Sequence, residues 1–220
     1  MGGIVRITQI CAATCMLAVA TQASAGDYTL EKLDDRVVVR NGDDLFTEYR
    51  FKERHPCLFP VFGPADQHMT RRWPLAPSAD HPESQDQPHH AGIWYAHGDV
   101  RLSGTDLKAD FWHHDRIEHS RFVDFEKHAQ ESALVAESAW RHETGRVLCT
   151  DQTRITFGRS HGDRWIDFQI TIKAPKNKTL VLGDTKEGTM AIRVPETMTI
   201  QANDKKLRHL SEGHITNSEG

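Results

Sequence analysis

The sequence predicts an all-β protein, an antiparallel β-sandwich that carries a long loop region rich in His, Trp and Pro. Three observations lead there. Apolar residues recur with a period of two in several short segments. Clusters of Gly, Asn, Asp and Ser separate those segments at turn-like positions. No stretch sustains a 3.6-residue apolar period for three helical turns, so two facing sheets are the simplest way to build a core.

The elements follow in order. Arg36-Val37-Val38-Val39-Arg40 is a compact apolar run between charges, and Leu45 to Phe51 is a second strand after the turn Asn41-Gly42-Asp43-Asp44. Leu134 to Trp140 is a third. Arg154 to Phe157 and Trp165 to Ile172 pair through Ser160-His161-Gly162-Asp163. In the second member Ile166, Phe168, Ile170 and Ile172 face one way and Asp167, Gln169 and Thr171 the other, the pattern of a half-buried hairpin strand. Thr179 to Leu182 and Met190 to Val194 complete the set.

Composition is that of a globular protein: 220 residues, 38% hydrophobic and 26% charged. The net charge of −4, with cations spread along the chain, excludes a basic nucleic-acid binder. At the N-terminus, Arg6 precedes the apolar run Ile10 to Ala20, and Ala23-Ser24-Ala25 has the small-residue form of a cleavage site. Residues 1–25 therefore read as a signal peptide and 26–220 as one domain, exported to the periplasm or secreted. Loss of Arg6 takes the balance from 27 − 31 to 26 − 31, or −5. No later stretch is apolar and long enough to cross a membrane. Of the cysteines, Cys57 and Cys149 remain, as one disulfide or as two buried thiols.

Residues His55 to His119 differ from the rest. Alternation weakens there and Pro, His, Trp and Asp accumulate, as in a large functional loop system laid over one face of a sandwich. Six of the 14 His fall within its last 31 residues: His89, His90, His97, His113, His114 and His119. Imidazole serves both as an acid–base group near neutrality and as a ligand for transition metals. His89, His90, His97 and His113 are the candidate metal ligands. The alternative is that several of these His are simply hydrogen-bonded within a polar loop core. Arg71 beside Trp73, together with Trp94, Asp99, Asp110 and Trp112, supplies flat apolar faces and polar groups for a sugar ring or an anion. The turn Gly183-Asp184-Thr185-Lys186-Glu187-Gly188 lacks the spacing of a nucleotide loop and projects two carboxylates. There is no G-x-S-x-G, no H-E-x-x-H and no C-x-x-C.

Three blocks together resemble one family: His55 to Pro64; Asp86-Gln87-Pro88-His89-His90 through Trp94, His97-Gly98-Asp99-Val100 and Asp110-Phe111-Trp112; and Gly183 to Met190 with Asn217-Ser218-Glu219-Gly220. They look like the exported, PmoA-like domain of unknown function of planctomycetes and related bacteria, sometimes labelled methane oxygenase PmoA. The membrane-embedded methane monooxygenase subunit is a different kind of protein, since this chain has no spans after its signal. The resemblance implies a distant likeness to galactose-mutarotase sandwiches, which bind carbohydrate and use His with a carboxylate at the anomeric centre. On that analogy His89 or His97 is the general acid, Glu187 or Asp184 the general base, and Arg71 and Trp94 orient the ring. Two departures stand out. Gln87 replaces the first His of the family's Asp-His-Pro-His-His, and the chain ends where members continue, which implies a domain incomplete at its C-terminus.

The expected function is thus binding or processing of a small polar substrate, most simply a carbohydrate, by His/carboxylate chemistry. The alternatives are an oxygenase- or hydrolase-like metal enzyme built on the His cluster, with a transition metal as cofactor, and a noncatalytic carbohydrate-binding module.

Overall fold

The computed structural model describes residues 28–128 and 130–216. The signal-peptide reading and the Asn217 to Gly220 block lie outside these residues. The described chain is all-β, with thirteen strands and three short 3-10 turns. The strands are β1 Tyr28–Lys32, β2 Arg36–Asn41, β3 Asp44–Arg50, β4 Cys57–Val61, β5 Ile93–Tyr95, β6 Val100–Leu102, β7 Lys108–Ala109, β8 Arg116–Lys127, β9 Glu131–Arg141, β10 Val147–Ser160, β11 Asp163–Lys173, β12 Leu180–Leu182 and β13 Met190–Ile192.

Six strands form one antiparallel sheet in the order β1-β2-β3-β4-β5-β13, and β11-β10-β9-β8 form a second. A small third sheet, β12-β6-β7, stands beside them. The two large sheets face each other through one core. Val37, Val39, Phe46, Tyr49, Leu58 and Ile93 come from the six-stranded sheet, and Leu134, Ala136, Ile155 and Phe157 from the four-stranded one. A second core joins Trp94, Val100, Phe111, Trp112, Trp140, Leu148 and both cysteines. Cys57 and Cys149 are free and buried, and burial pushes both thiols up to about 12, so neither is a thiolate at neutral pH.

The hairpins form where the turn residues permit. At Asn41↔Asp44 the two-residue loop opens with Gly42 at φ +63°. At Ser160↔Asp163 both loop residues, His161 and Gly162, have positive φ. β11 keeps an unbroken eleven-pair register with β10, and its Asp167, Gln169 and Thr171 are exposed while the four apolar residues opposite are half-buried. β8 is the long strand that alternation does not reveal. Only Ile117 of its twelve residues is buried, and two bulges, at His119/Arg121 and Phe122/Asp124, shift the side-chain phase. The region from His55 to His119 is also less continuous as a loop than expected, because it contains β4 to β7 and the start of β8.

Its longest irregular stretch runs from Phe62 to Gly92 and ends on a backbone constraint. Gly92 has φ +62°, and a Cβ there would overlap the Leu58 carbonyl on the neighbouring strand. The chain turns there from the His-bearing loop into β5. Gly92→Ala is expected to destabilise the fold by about 3 kcal/mol, read as a lowered urea midpoint with an unchanged m-value.

Candidate functional site

The site is built on the second core, where three chain segments meet. The first is the loop before β5. Its Gln87 carbonyl accepts the His90 amide at 2.9 Å, a turn that places His89 and His90 side by side with ring centroids 4.2 Å apart. Gln87 itself is exposed, with φ +46°. The position that departs from the family pattern therefore contributes only backbone here.

The second segment follows β7. Asp110 Oδ1 accepts the amides of Trp112 and His113, each at 3.0 Å, and Oδ2 accepts from His113 Nδ1 at 2.9 Å. The short polar side chain thus both closes the turn and fixes the imidazole. Burial alone pulls the Asp110 carboxyl up, but the His113 amide and ring more than offset that, and it lies below its ordinary value. Arg54 donates to the carbonyls of Trp112, at 2.7 Å, and His113. Asp115 accepts the Asp110 amide at 2.7 Å, so the turn is held from both sides.

The third segment is the loop between β12 and β13. The Gly183 amide bonds to the Asp99 carbonyl at 2.7 Å and the Ala96 amide to the Thr189 carbonyl at 3.0 Å. His97 bridges the same loop, with Nε2 2.8 Å from the Gly183 carbonyl and Nδ1 3.4 Å from Thr189 Oγ1. These ties hold Glu187 over the cluster, with Oε1 3.8 Å from His113 Nε2 and 3.1 Å from Lys186 Nζ. Burial raises the Glu187 carboxyl, but Lys186 and its own amide outweigh that and lower it.

The His89 ring lies 4.9 Å from that of His113, centroid to centroid. Burial first, then the neighbouring His113, Arg54 and Arg193, lower its pKa and keep it neutral. Its Nε2 is buried with no partner among the described residues, and so is Nε1 of Trp94. His90 stacks on Trp94 at 5.0 Å and meets Trp112 edge-on at 5.6 Å. Trp112 Nε1 donates to its Nε2 at 3.2 Å while Arg193 Nη1 lies 3.3 Å from its Nδ1. A neutral imidazole has one lone pair, so it satisfies only one of these donors at a time. Burial and the His89 and Arg193 neighbours push His90 down to about 4.

Beneath the cluster lies a buried ion network. Arg71 and Glu196, 4% and 2% exposed, pair at 2.9 Å. Glu196 also accepts the Ser84 amide at 2.6 Å. Asp86 binds Arg193 and Asn203 and lies 3.7 Å from Arg71.

The structure therefore brings together His89, His90, Asp110, His113 and Glu187, and it corrects several sequence-based assignments. Arg71 and Trp94 do not present themselves to a sugar. Arg71 is sealed in the ion network, and Trp94, 3% exposed, is the floor beneath His90. Trp112, 4% exposed, is likewise floor rather than platform. Asp99 pairs with Arg101 at 3.1 Å and abuts Gly183, acting on the loop and not in the cluster. Asp184 is exposed and bonds to none of the cluster among the described residues. His97, 8% exposed, has both nitrogens engaged and is a fastener, neither acid nor ligand. His119 packs against Phe51 and Phe122, at 4.8 and 4.3 Å, away from the other His. The four proposed metal ligands do not make a site. His97 has both nitrogens engaged, both nitrogens of His90 face N–H donors, and among the described residues no three His, Cys, Asp or Glu side chains are arranged to hold an ion.

Arg54, Arg193 and Glu196 went unnoticed in the sequence. The one available signal was for Arg193, a lone cation inside the apolar run Met190 to Val194.

The fold and site define a β-sandwich protein with an Asp–His–Glu cluster where its small third sheet meets the six-stranded one. The chain belongs to DUF6807, a family of unknown function, whose match covers residues 36–220. No curated protein and no solved structure matches it.

The buried imidazoles impose a pH dependence on stability. His55 is pushed down to about 3, chiefly by burial, and His90 and His119 to about 4, from an ordinary 6.5. All three fold neutral, so their contribution is full above 6.5 and is lost as pH falls toward 4, where the unfolded chain takes up protons. Urea midpoints measured stepwise over that range are expected to drop. His119→Gln should remove about one proton from the slope.

Proposed function

We propose that this is an exported, PmoA-like carbohydrate-processing protein that carries out acid–base chemistry at the anomeric centre of a small sugar. The carrying observation is the Asp110–His113–Glu187 arrangement. Asp110 holds Nδ1, which leaves Nε2 facing the Glu187 carboxylate across 3.8 Å. That gap is too long for a direct hydrogen bond, and a hydroxyl at the apex would lie about 2.8 Å from both groups.

In this reading His113 reacts as the imidazolium, with Nδ1–H held by Asp110 and Nε2–H directed at the sugar: Glu187 removes the proton of the anomeric hydroxyl and His113 Nε2 donates one to the ring oxygen. The bond from C1 to the ring oxygen opens to the aldehyde, and closure on the other face returns both protons to their donors. His89, its pKa lowered by burial and the neighbouring cations, packs its ring 4.9 Å from that of His113 and positions it rather than giving up a proton. The distant likeness to galactose-mutarotase sandwiches, an analogy of fold, points the same way.

Polarimetry of freshly dissolved α-D-glucose and α-D-galactose tests the reading. The protein is expected to accelerate mutarotation of at least one of them. His113→Gln and Glu187→Gln should each lower the rate about 100-fold or more, whereas Asp184→Asn should stay within about twofold of it. Failure to accelerate either sugar, or full activity in His113→Gln, would remove the reading.

A further inference from the structure

On the other side of the 83–90 segment lies an open groove of about 360 Å³ that none of the foregoing chemistry uses. Trp73, Ser78, His81, Glu83, Gln85 and Asp204 line it, with prolines between them. Trp73 is held at both ends of its residue. Its indole Nε1 donates to the Asp86 carbonyl at 2.9 Å, and its amide donates to Glu83 Oε2 at 3.0 Å. The ring is therefore fixed by its polar edge before any ligand arrives, which lowers the entropic cost of stacking on it.

The polar lining is rich in acceptors. Glu83 uses one carboxylate oxygen for the Trp73 amide, and Asp204 uses Oδ1 to cap the Lys206 amide at 2.9 Å. Each has a second oxygen for a ligand. Ser78, His81 and the exposed Gln85 add groups that both donate and accept. A flat aromatic beside two carboxylates and an amide suits the hydroxyl-rich, apolar-faced ring of a neutral saccharide. Two acidic side chains repel an anionic sugar.

We propose that this groove is a saccharide-binding subsite, distinct from the His113–Glu187 cluster, that accepts a neutral sugar unit on Trp73. The proposal deepens the carbohydrate reading and rests on it. The two places are mechanically joined. The Asp86 carbonyl holds Trp73, the Asp86 carboxylate holds Arg193, and Arg193 touches His90. The substrate class this implies extends to a neutral oligosaccharide with a free reducing end, whose reducing unit reacts at His113 and Glu187 while a neighbouring unit lies on Trp73.

Site-resolved fluorine NMR tests it. The five tryptophans, Trp73, Trp94, Trp112, Trp140 and Trp165, are replaced biosynthetically by 5-fluorotryptophan. Trp73→Phe, Trp94→Phe and Trp112→Phe assign three of the resonances. The probes are cellobiose, maltose and lactose, with glucose and galactose as their single units. Saturable movement of the Trp73 resonance by a disaccharide, weakened about fivefold in Gln85→Ala, supports the subsite. If Trp94 or Trp112 responds and Trp73 does not, the subsite is overturned and the reading of the His cluster stands. If no resonance moves with any of the five sugars, both are overturned.

Discussion

The segment from Phe62 to Gly92 is the part of this molecule that regular structure does not hold. It contains one 3-10 turn and two isolated bridges, so its backbone has almost no ladder to lean on. What holds it is a pair of arginines, Arg71 and Arg193, interleaved with Asp86 and Glu196. Arg71 and Asp86 belong to the irregular segment, Arg193 and Glu196 to the chain just after β13. Burial of such a network is expensive, and breaking one member leaves an uncompensated charge. The network therefore fixes one arrangement of the loop rather than adding much net stability. Its Glu196 Oε2 and Arg193 Nε are buried without partners among the described residues, a sign of how tightly the packing dictates the geometry.

The Asp–His–Glu cluster stands on that arrangement. Arg193 is common to both, pairing with Asp86 below and lying against His90 above. Two hydrogen-bonding tasks that might fall to separate residues are combined at Asp110, which caps a turn and orients an imidazole with the same carboxylate. The paired tryptophans Trp94 and Trp112, 5.3 Å apart, exclude water from underneath. Charges above such a floor interact more strongly than they would in water.

The sheets were far more legible than the site. Apolar runs and alternation exposed β2, β3, β9, β10, β11 and the short strands β12 and β13, most plainly β11, whose exposed and half-buried residues alternate. It failed at β8, where bulges and exposure erase the period, and at β4 to β7, which are short and buried among irregular chain. Histidine density pointed to the region where His89, His90 and His113 come together, and the Gly183 to Gly188 turn carries the carboxylate, Glu187, that lies beside them. The roles were harder. Whether an imidazole is tied at both nitrogens, as in His97, or only at Nδ1, as in His113, depends on which polar atoms lie within about 3 Å of them. Those contacts come from residues some 90 positions away in sequence, as in the bonds of His97 to Gly183 and Thr189. Aromatic residues carry a similar ambiguity. Trp94 and Trp73 look alike on paper, yet one is floor and the other lines an open groove.

The pairing of β13 with β5, through Met190↔Tyr95 and its neighbours, closes the longest loop among the strand pairings of the described residues, whereas β8 to β11 form a meander of adjacent hairpins. Contacts between near neighbours are cheap to form, and closures over long stretches of chain come with a larger entropic cost and slower kinetics. Glu187 and Arg193 flank that last closure. Closure of the Asp–His–Glu cluster is therefore expected to come late in folding: the scaffold can be standing while the cluster is still open, and a probe placed at the cluster would report on the final step of assembly rather than on collapse.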